Sequence, residues 1–233
     1  MFSVFSNELY KIFHSKKIYV FSAIIVALAG IMFLGDMPIK ASDLLVKEFL
    51  ITLLPIFFAI IIAESFTEEY KAGTLKLTLL HPISRTHYLL GKILALIPIG
   101  LFLVGLSGIL GFLVDFIKLG SSGININNVA DLFVKGVLSL FPILAFSMII
   151  LLLSLILNSS GAVIGGTFGF MILFQLLAVF AVKYNMENLI ITNYFNMFFD
   201  GSNGITGLGV VAAYLLGFLV LSLVFFNRKD IAE

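Results

Sequence analysis

The chain has 233 residues, of which 61% are hydrophobic and 12% are charged, and its formal net charge is +1. Ordinary soluble domains contain about 45–50% apolar and about 25% charged residues, so this composition excludes a water-soluble globular protein and predicts an all-α polytopic membrane protein. Cysteine is absent, which excludes disulfides, thiol catalysis and cysteine-ligated metal, and without a basic block nothing indicates a nucleic-acid partner.

The first 17 residues predict an amphipathic helix that lies in the membrane interface. Apolar residues recur there at three- and four-residue steps, and Lys16 and Lys17 end the pattern. The alternative is a signal peptide with Ala27-Leu28-Ala29 as its cleavage site. The apolar run, however, continues to Leu34, and the stretch before it is long and amphipathic. The apolar positions are Phe2, Phe5, Leu9, Ile12 and Phe13.

Six apolar runs are long enough to cross a bilayer, and they predict one transmembrane domain over residues 1–233. The second run is short, and we expect it to extend upstream through Leu44-Leu45-Val46, which places Lys47 and Glu48 near the interface. A tight turn at 158–161 separates the fourth and fifth runs. The predicted spans are Ile18–Leu34, Phe49–Ala63, Tyr88–Val114, Leu132–Leu157, Ala162–Val182 and Ile205–Phe226.

Lysine and arginine predict the orientation. With the N-terminus in the cytoplasm, both arginines, Arg85 and Arg228, fall on the cytoplasmic side together with most lysines. We therefore expect both termini in the cytoplasm of a multi-pass protein of the plasma membrane. The lysines expected outside are Lys40, Lys47, Lys118, Lys135 and Lys183.

The polar stretch 64–87 between the second and third spans contains several signals for short helices in water. Ser65-x-x-Glu68 predicts a capping box, and Gly73 a change of direction before a second cap at Thr74. Pro82 predicts the end of this element, and Ser84 the cap of the next long helix. An apolar surface outside the membrane needs a partner to cover it, and the alternative is an ordinary solvated loop. That surface consists of Leu75, Leu77, Leu79 and Leu80.

The order of residues in this stretch resembles the signature of type-2 ABC exporter permeases. A glutamate is followed by Gly-Thr, Leu-Leu, Pro-Ile-Ser-Arg and then Gly91-Lys92 at the next span. The resemblance implies a coupling helix that docks on an ATPase subunit. The residues that it nominates for this contact are Glu68, Glu69, Gly73, Thr74, Leu75, Leu79, Leu80, Pro82 and Arg85.

The same resemblance implies the rest of an exporter. Residues 1–17 would form its elbow helix, and the apolar outer segment 183–204 its short re-entrant helices. Two copies of an ATPase subunit would carry ATP and Mg, with no cofactor on this chain. A second permease copy or a close paralogue would complete a path for an amphipathic or hydrophobic cargo such as a peptide, antibiotic or lipid-like molecule. The second and fifth spans would line that path through Phe57, Phe58, Phe168, Phe170, Phe174 and Gln175.

The fifth span also carries Gly161, Gly165 and Gly169, a small-residue face that favours close helix packing. The contact could lie within one protomer or between two. Both alternatives stay open at the level of the sequence.

Catalytic motifs give no strong competing function. Gly91-Lys92 lacks the upstream glycine of a phosphate loop, so ATP hydrolysis is expected on another chain. Glu68-Glu69 invites comparison with glutamate-type intramembrane proteases, but those have an arginine four residues after the second glutamate, where this chain has Gly73, and a histidine in a later span, which this chain lacks. His81 and His87 lack metal-ligand spacing, so no metal site is predicted. A membrane scaffold without transport activity is the other alternative.

Overall fold

The computed structural model describes residues 2–35, 40–71, 84–120, 126–157, 159–184, 187–200 and 204–228. Within these ranges the chain is helical and contains no strand. Six helices are long and apolar enough to cross a membrane, which confirms an all-α, multi-pass membrane protein. The predicted coupling helix lies outside the described residues.

The helices follow the predicted order with longer boundaries. The first, α1, precedes the spans, the short helices α3 and α4 belong to the second span, and α5 continues that span beyond its end. The bounds are α1 Phe2–Phe13, α2 Lys16–Leu34, α3 Ala41–Glu48, α4 Leu54–Ala63, α5 Glu69–Lys71, α6 Arg85–Leu119, α7 Ile126–Ile156, α8 Ser160–Lys183, α9 Met197–Asp200 and α10 Gly204–Arg228.

The second span, Ala41–Glu68, is part of a continuous helical rod from Ala41 to Lys71, in which π turns at Phe49–Leu53 and Glu64–Glu68 join α3, α4 and α5. The first π turn ends just before Pro55, whose ring has no N–H for the carbonyl four residues earlier, and such gaps widen a helix locally. The upstream extension through Leu44-Leu45-Val46 is confirmed. The predicted capping box is wrong, because Ser65 lies inside the rod and caps nothing.

At the second π turn a side chain adds a hydrogen bond to a backbone carbonyl. The Thr67 hydroxyl donates to the Ala63 carbonyl oxygen at 2.5 Å, the i−4 bond typical of threonine within a helix. The predicted cap at Ser84 is confirmed, since its hydroxyl accepts a hydrogen bond from the His87 N–H at the start of α6. The 72–83 segment is therefore preceded by one helix, the rod, and followed by another, α6.

The second and fourth spans, the rod and α7, form the core of the bundle. In the most apolar window of each helix, 61% of the residues are buried in the rod and 67% in α7, against 11% in both α8 and α10. α8 and α10 thus present most of their surface to the surroundings, which in a membrane protein means acyl chains or another protein.

The antiparallel spans give the bundle two ends. We call the end with α1, the start of α6 and the end of α10 the proximal end, and the other the distal end. Arg85 Nη1 donates to the carbonyl oxygens of Phe226 and Asn227, both at 3.1 Å, which ties the start of α6 to the end of α10. The described parts of both terminal regions therefore meet at the proximal end, as the charge pattern predicts.

At the distal end α6 caps the rod. Asp115 is only 3% exposed, and its carboxylate accepts bonds from the backbone N–H groups of Ala41 at 2.7 Å and Ser42 at 3.1 Å and from the Ser42 hydroxyl at 2.5 Å. A carboxylate at a helix N-terminus satisfies free N–H groups and complements the helix dipole. This contact requires Gly111, because a Cβ there would lie 2.5 Å from the Cα of Ser42.

The distal segment after α8 is packed onto the bundle, as its apolar composition predicts. It consists of two 3₁₀ turns, Glu187–Leu189 and Ile191–Tyr194, and of α9. The Phe195 ring meets Phe146 of α7 edge-on at 5.7 Å, and the Tyr214 hydroxyl of α10 donates to the Leu189 carbonyl oxygen at 2.8 Å. The segment is thus a fixed cover for the distal end.

Candidate functional site at the proximal end

The proximal end contains a buried ammonium group with two carboxylate partners. The Lys92 side chain of α6 is 2% exposed, and its Nζ lies 3.0 Å from Glu8 Oε1 and 2.9 Å from Glu69 Oε2. It also donates to the Ser65 hydroxyl at 2.6 Å and to the Ser65 carbonyl oxygen at 3.0 Å. Helix α1, the rod and α6 therefore meet at one atom.

Two aromatic rings enclose the same ammonium group. Lys92 Nζ lies 5.2 Å from the centre of the Phe66 ring and 4.9 Å from that of Tyr88. At such distances an ammonium group gains a cation–π attraction that grows when water is excluded. The Tyr88 hydroxyl donates to Glu69 Oε2, so the aromatic wall also holds one of the carboxylates. The charge is thus solvated by protein groups and not by water.

Helix α1 closes the site with the face that carries Val4, Glu8 and Ile12, all buried. Glu8 lies in the middle of that face, and its second carboxylate oxygen accepts a bond from the Ser65 hydroxyl at 3.0 Å. The Phe13 ring contacts Phe102 of α6 edge-on at 5.5 Å. The amphipathic helix is confirmed, but it docks on the bundle through an ion pair as well as through apolar contacts.

A second set of cations lies at the edge of the site. Lys11 Nζ is 2.8 Å from Glu69 Oε1, and Lys17 pairs with Glu64. Burial opposes ionisation of Glu69, but the ammonium groups of Lys92 and Lys11 and the Tyr88 hydroxyl outweigh it and hold the pKa of Glu69 below its ordinary value. Burial likewise opposes charge on Lys11, yet the hydrogen bond that Lys11 donates to the Glu69 carboxylate raises the pKa of Lys11. Both groups are therefore held charged.

A cleft of about 210 Å³ opens beside this network, between α1 and the second π turn. Glutamates and lysines both line it, and Glu68 is the carboxylate with the most exposed side chain. A π turn next to a polar cleft is a common feature of functional sites. The charged lining residues are Glu8, Lys11, Lys17, Glu64, Glu68 and Glu69.

The arrangement suits a fixed electrostatic junction better than acid–base chemistry. A general base or acid works best with a pKa near the working pH, whereas Glu69 is held ionised by its lysines. Among the described residues no group of three histidine, aspartate or glutamate side chains could hold a metal ion. The junction instead couples three helices at the base of the 72–83 segment.

The nominated coupling residues divide into two groups. Glu68, Glu69 and Arg85 are described, and they flank the 72–83 segment at the proximal end. The expectation that Glu69 presents its charge to water is corrected, because its side chain is 16% exposed and bound to two lysines. The remaining nominated residues, Gly73, Thr74, Leu75, Leu79, Leu80 and Pro82, lie outside the described residues.

The residues nominated for the substrate path differ in their exposure. Phe57 and Phe58 have no exposed surface, and the Phe57 ring packs 4.0 Å from that of Phe21. They belong to the core of the protomer, where α7 and α8 pack on α4, Phe57 contacts Phe21 of α2 and Phe58 lies next to Gly100 of α6. Phe168 is 43% exposed and Gln175 is exposed, while Phe170 and Phe174 are half-buried.

The glycine face of α8 is open in the protomer. A Cβ at Gly165 or Gly169 would meet nothing within 4 Å, and one at Gly161 only the Ser159 hydroxyl at 3.9 Å. Among the described residues no helix packs on this face, which is left for acyl chains or another chain.

Glu8 and Lys92 are the central residues that the sequence interpretation missed as a pair. In the sequence Lys92 forms part of the Gly-Lys motif, and Glu8 lies within the amphipathic helix. Two signals were present: Val4, Glu8 and Ile12 share one helical face, and Lys92 is the first charged residue inside the third apolar run. A charge on an otherwise apolar face needs a partner, and the two satisfy each other.

The family described as "Protein of unknown function (DUF2705)" matches residues 19–232, which is nearly the whole chain. No curated protein matches this chain.

Proposed function

The chain belongs to the DUF2705 family, and we propose that it is the membrane permease subunit of an ATP-driven exporter of the ABC type. In this proposal a separate ATPase subunit, in two copies and with ATP and Mg, docks on the 72–83 segment. A second permease copy or a close paralogue completes the path, and an amphipathic or hydrophobic cargo leaves the cytoplasm. The protein lies in the plasma membrane with both termini in the cytoplasm.

The observation that carries the proposal is the junction around Lys92. The 72–83 segment leaves from α5 and returns at Ser84, and Lys92 joins the two flanking helices to α1 at its base. A displacement of that segment by a docked ATPase would therefore be transmitted to the rod, α6 and α1 together. This is what a coupling element requires, whereas a solvated loop needs no such anchoring.

Glu68 separates coupling from folding better than Glu69. Its side chain is exposed beside the cleft, while Glu69 is held within the junction. We expect Glu68→Lys to leave the thermal stability near that of the parent and to weaken association with the ATPase, because it repels basic groups that pair with a carboxylate. Glu48→Lys, an equally exposed glutamate near the distal end, is the matched control.

The measurement is co-purification of a co-expressed candidate ATPase subunit, followed by cargo-stimulated ATP hydrolysis at matched expression. Loss in Glu68→Lys together with retention in Glu48→Lys supports the proposal. An ATPase that never co-purifies with the parent chain contradicts it.

The orientation has its own test, because the chain has no cysteine. Single cysteines at Tyr184, 67% exposed at the distal end, and at His14, exposed at the proximal end, report opposite sides. An impermeant thiol reagent added to whole cells should label the first and not the second. The reverse pattern would place the 72–83 segment outside, where no ATPase could reach it.

A further inference from the structure

Two cavities lie side by side at the distal end, between the start of the rod, the end of α6 and the start of α7. One, of about 390 Å³, is lined mainly by charged and polar side chains. The other, of about 320 Å³, is lined almost entirely by apolar groups. Phe112 and Leu132 line both, so the two cavities are direct neighbours. Together they form one amphipathic site of which neither half belongs to the proximal junction.

The polar half carries balanced charge. Lys47 pairs with Asp200 at 2.9 Å, and Lys135 pairs with Asp131 at 2.7 Å. Asp43, exposed on the first turn of α3, adds a carboxylate next to these pairs. A ligand with one phosphate and one ammonium group can meet both signs, whereas a purely anionic ligand would leave the carboxylates facing like charge. The six charged lining residues are Lys40, Lys47, Lys135, Asp43, Asp131 and Asp200.

The apolar half owes its space to two glycines of α6. A Cβ at Gly105 would lie 3.9 Å from the Phe133 ring, and one at Gly108 would lie 3.8 Å from Val46. These are ordinary contact distances, so neither glycine is there to let two backbones touch. The missing side chains leave a groove instead. Ile109, 63% exposed, and Phe133, 51% exposed, stand at its edge and open it toward the acyl chains around the bundle.

We propose that this composite cavity binds one zwitterionic phospholipid, with its headgroup in the polar half and an acyl chain in the groove. The groove lies within the apolar length of α6, and the charges lie where the helices reach the distal interface, which is the arrangement of a lipid's own two parts. The proposal is independent of the transport function, since it concerns the other end of the bundle.

The test is native mass spectrometry of the detergent-solubilised chain, incubated with either phosphatidylethanolamine or phosphatidylglycerol. We expect one phosphatidylethanolamine to stay bound to the parent and less phosphatidylglycerol of the same chain length. Gly105→Leu should abolish the bound lipid because its side chain fills the groove. Gly169→Leu, the same change at a position where an added Cβ meets nothing within 4 Å and which lines neither cavity, should retain it.

The headgroup half needs a variant of its own. Asp43→Asn removes one negative charge without changing the groove, and it should reduce the preference for phosphatidylethanolamine over phosphatidylglycerol. Equal binding of both lipids by the parent, or full retention of lipid in Gly105→Leu, would overturn the proposal. Thermal unfolding of each lipid-free variant shows whether a loss of lipid reflects loss of the fold. If Gly105→Leu is unfolded, the lipid preference of Asp43→Asn tests the proposal, and an unchanged preference contradicts it.

Discussion

Lys92 Nζ lies 2.9 Å from Glu69 Oε2, although the 72–83 segment separates the two residues along the chain. The ion pair therefore joins the two helices on either side of that segment, the rod and α6. Glu8 adds the third partner from α1, so the N-terminal helix is held by the same ammonium group.

Replacing Lys92 with methionine should destabilise the protein strongly. Methionine fits the length of the lysine stem, but it leaves the Glu8 and Glu69 carboxylates without their buried cation. Removal of one partner from a buried ion pair costs about 3–5 kcal/mol. The measurement is thermal unfolding in detergent, together with proteolysis of α1, which should become sensitive.

Lys16→Met is the control for this substitution, because Lys16 is an exposed lysine at the same end of the bundle. It should change the unfolding free energy by less than about 1 kcal/mol. If both variants unfolded alike, the Lys92 pairs would contribute little to stability and the coupling argument would lose its basis.

Acid should loosen the same junction. The folded pKa of Glu69 lies below its ordinary value of 4.5, so its contribution to stability is complete above that pH and is lost as the pH falls toward the lower folded value. We expect the melting temperature of the parent to decline below about pH 4.5, with a smaller decline in Glu69→Gln. Glu68→Gln, which lacks the two lysine partners, should keep the slope of the parent; a parental slope in Glu69→Gln instead would assign the acid sensitivity to other carboxylates.

The cap that Asp115 places on the rod can be tested without touching the proximal end. Asp115→Ala leaves the N–H groups of Ala41 and Ser42 buried without acceptors, at a cost of about 1–3 kcal/mol. Asp131→Ala removes an exposed aspartate of an i,i+4 pair and should cost under about 1 kcal/mol. Equal costs for both would show that the cap does not hold the rod.

Gly111 should tolerate no side chain. Its added Cβ would come within 2.5 Å of backbone, which cannot move aside as a flexible side chain can, so Gly111→Ala should cost about 1–3 kcal/mol as overpacking. The same change at Gly165 meets open space and should be nearly neutral in the protomer. If Gly165→Ala proved the more damaging of the two, that face would be an interface with a second chain.

Much of the fold is predictable from the sequence because the bilayer imposes length and apolarity on every span. All six spans, the Ser84 cap and the upstream extension of the second span follow from those rules. The rod extends further past Ala63 than predicted. Ser65 and Glu68 look like a helix cap in the sequence, but the chain around them continues as a π turn. Local pattern cannot tell a cap from a widened helix when a distant partner, here Glu8, takes the serine hydroxyl.

The site was less predictable for the same reason. Glu8 and Lys92 each look like an interfacial charge in their own segment, and only the packing of α1 on α6 turns them into a buried pair. The burial of Phe57 and Phe58 was unpredictable for a different reason: resemblance places both residues on the second span, but the pattern of that span does not show which of its faces the other helices cover.

The two π turns of the rod set the rotational phase between its ends. An α-helix turns by about 100° per residue, and each π turn takes up one residue more than a regular turn would. Ser42 at one end faces Asp115 and Ser65 at the other faces Lys92, with the extra residue of the first π turn lying between them. Loss of a single residue within Phe49–Leu53 would keep the rod helical and apolar, yet would swing its whole proximal half away from α1. Spacing along this helix is thus constrained more tightly than the identity of most of the side chains that it carries.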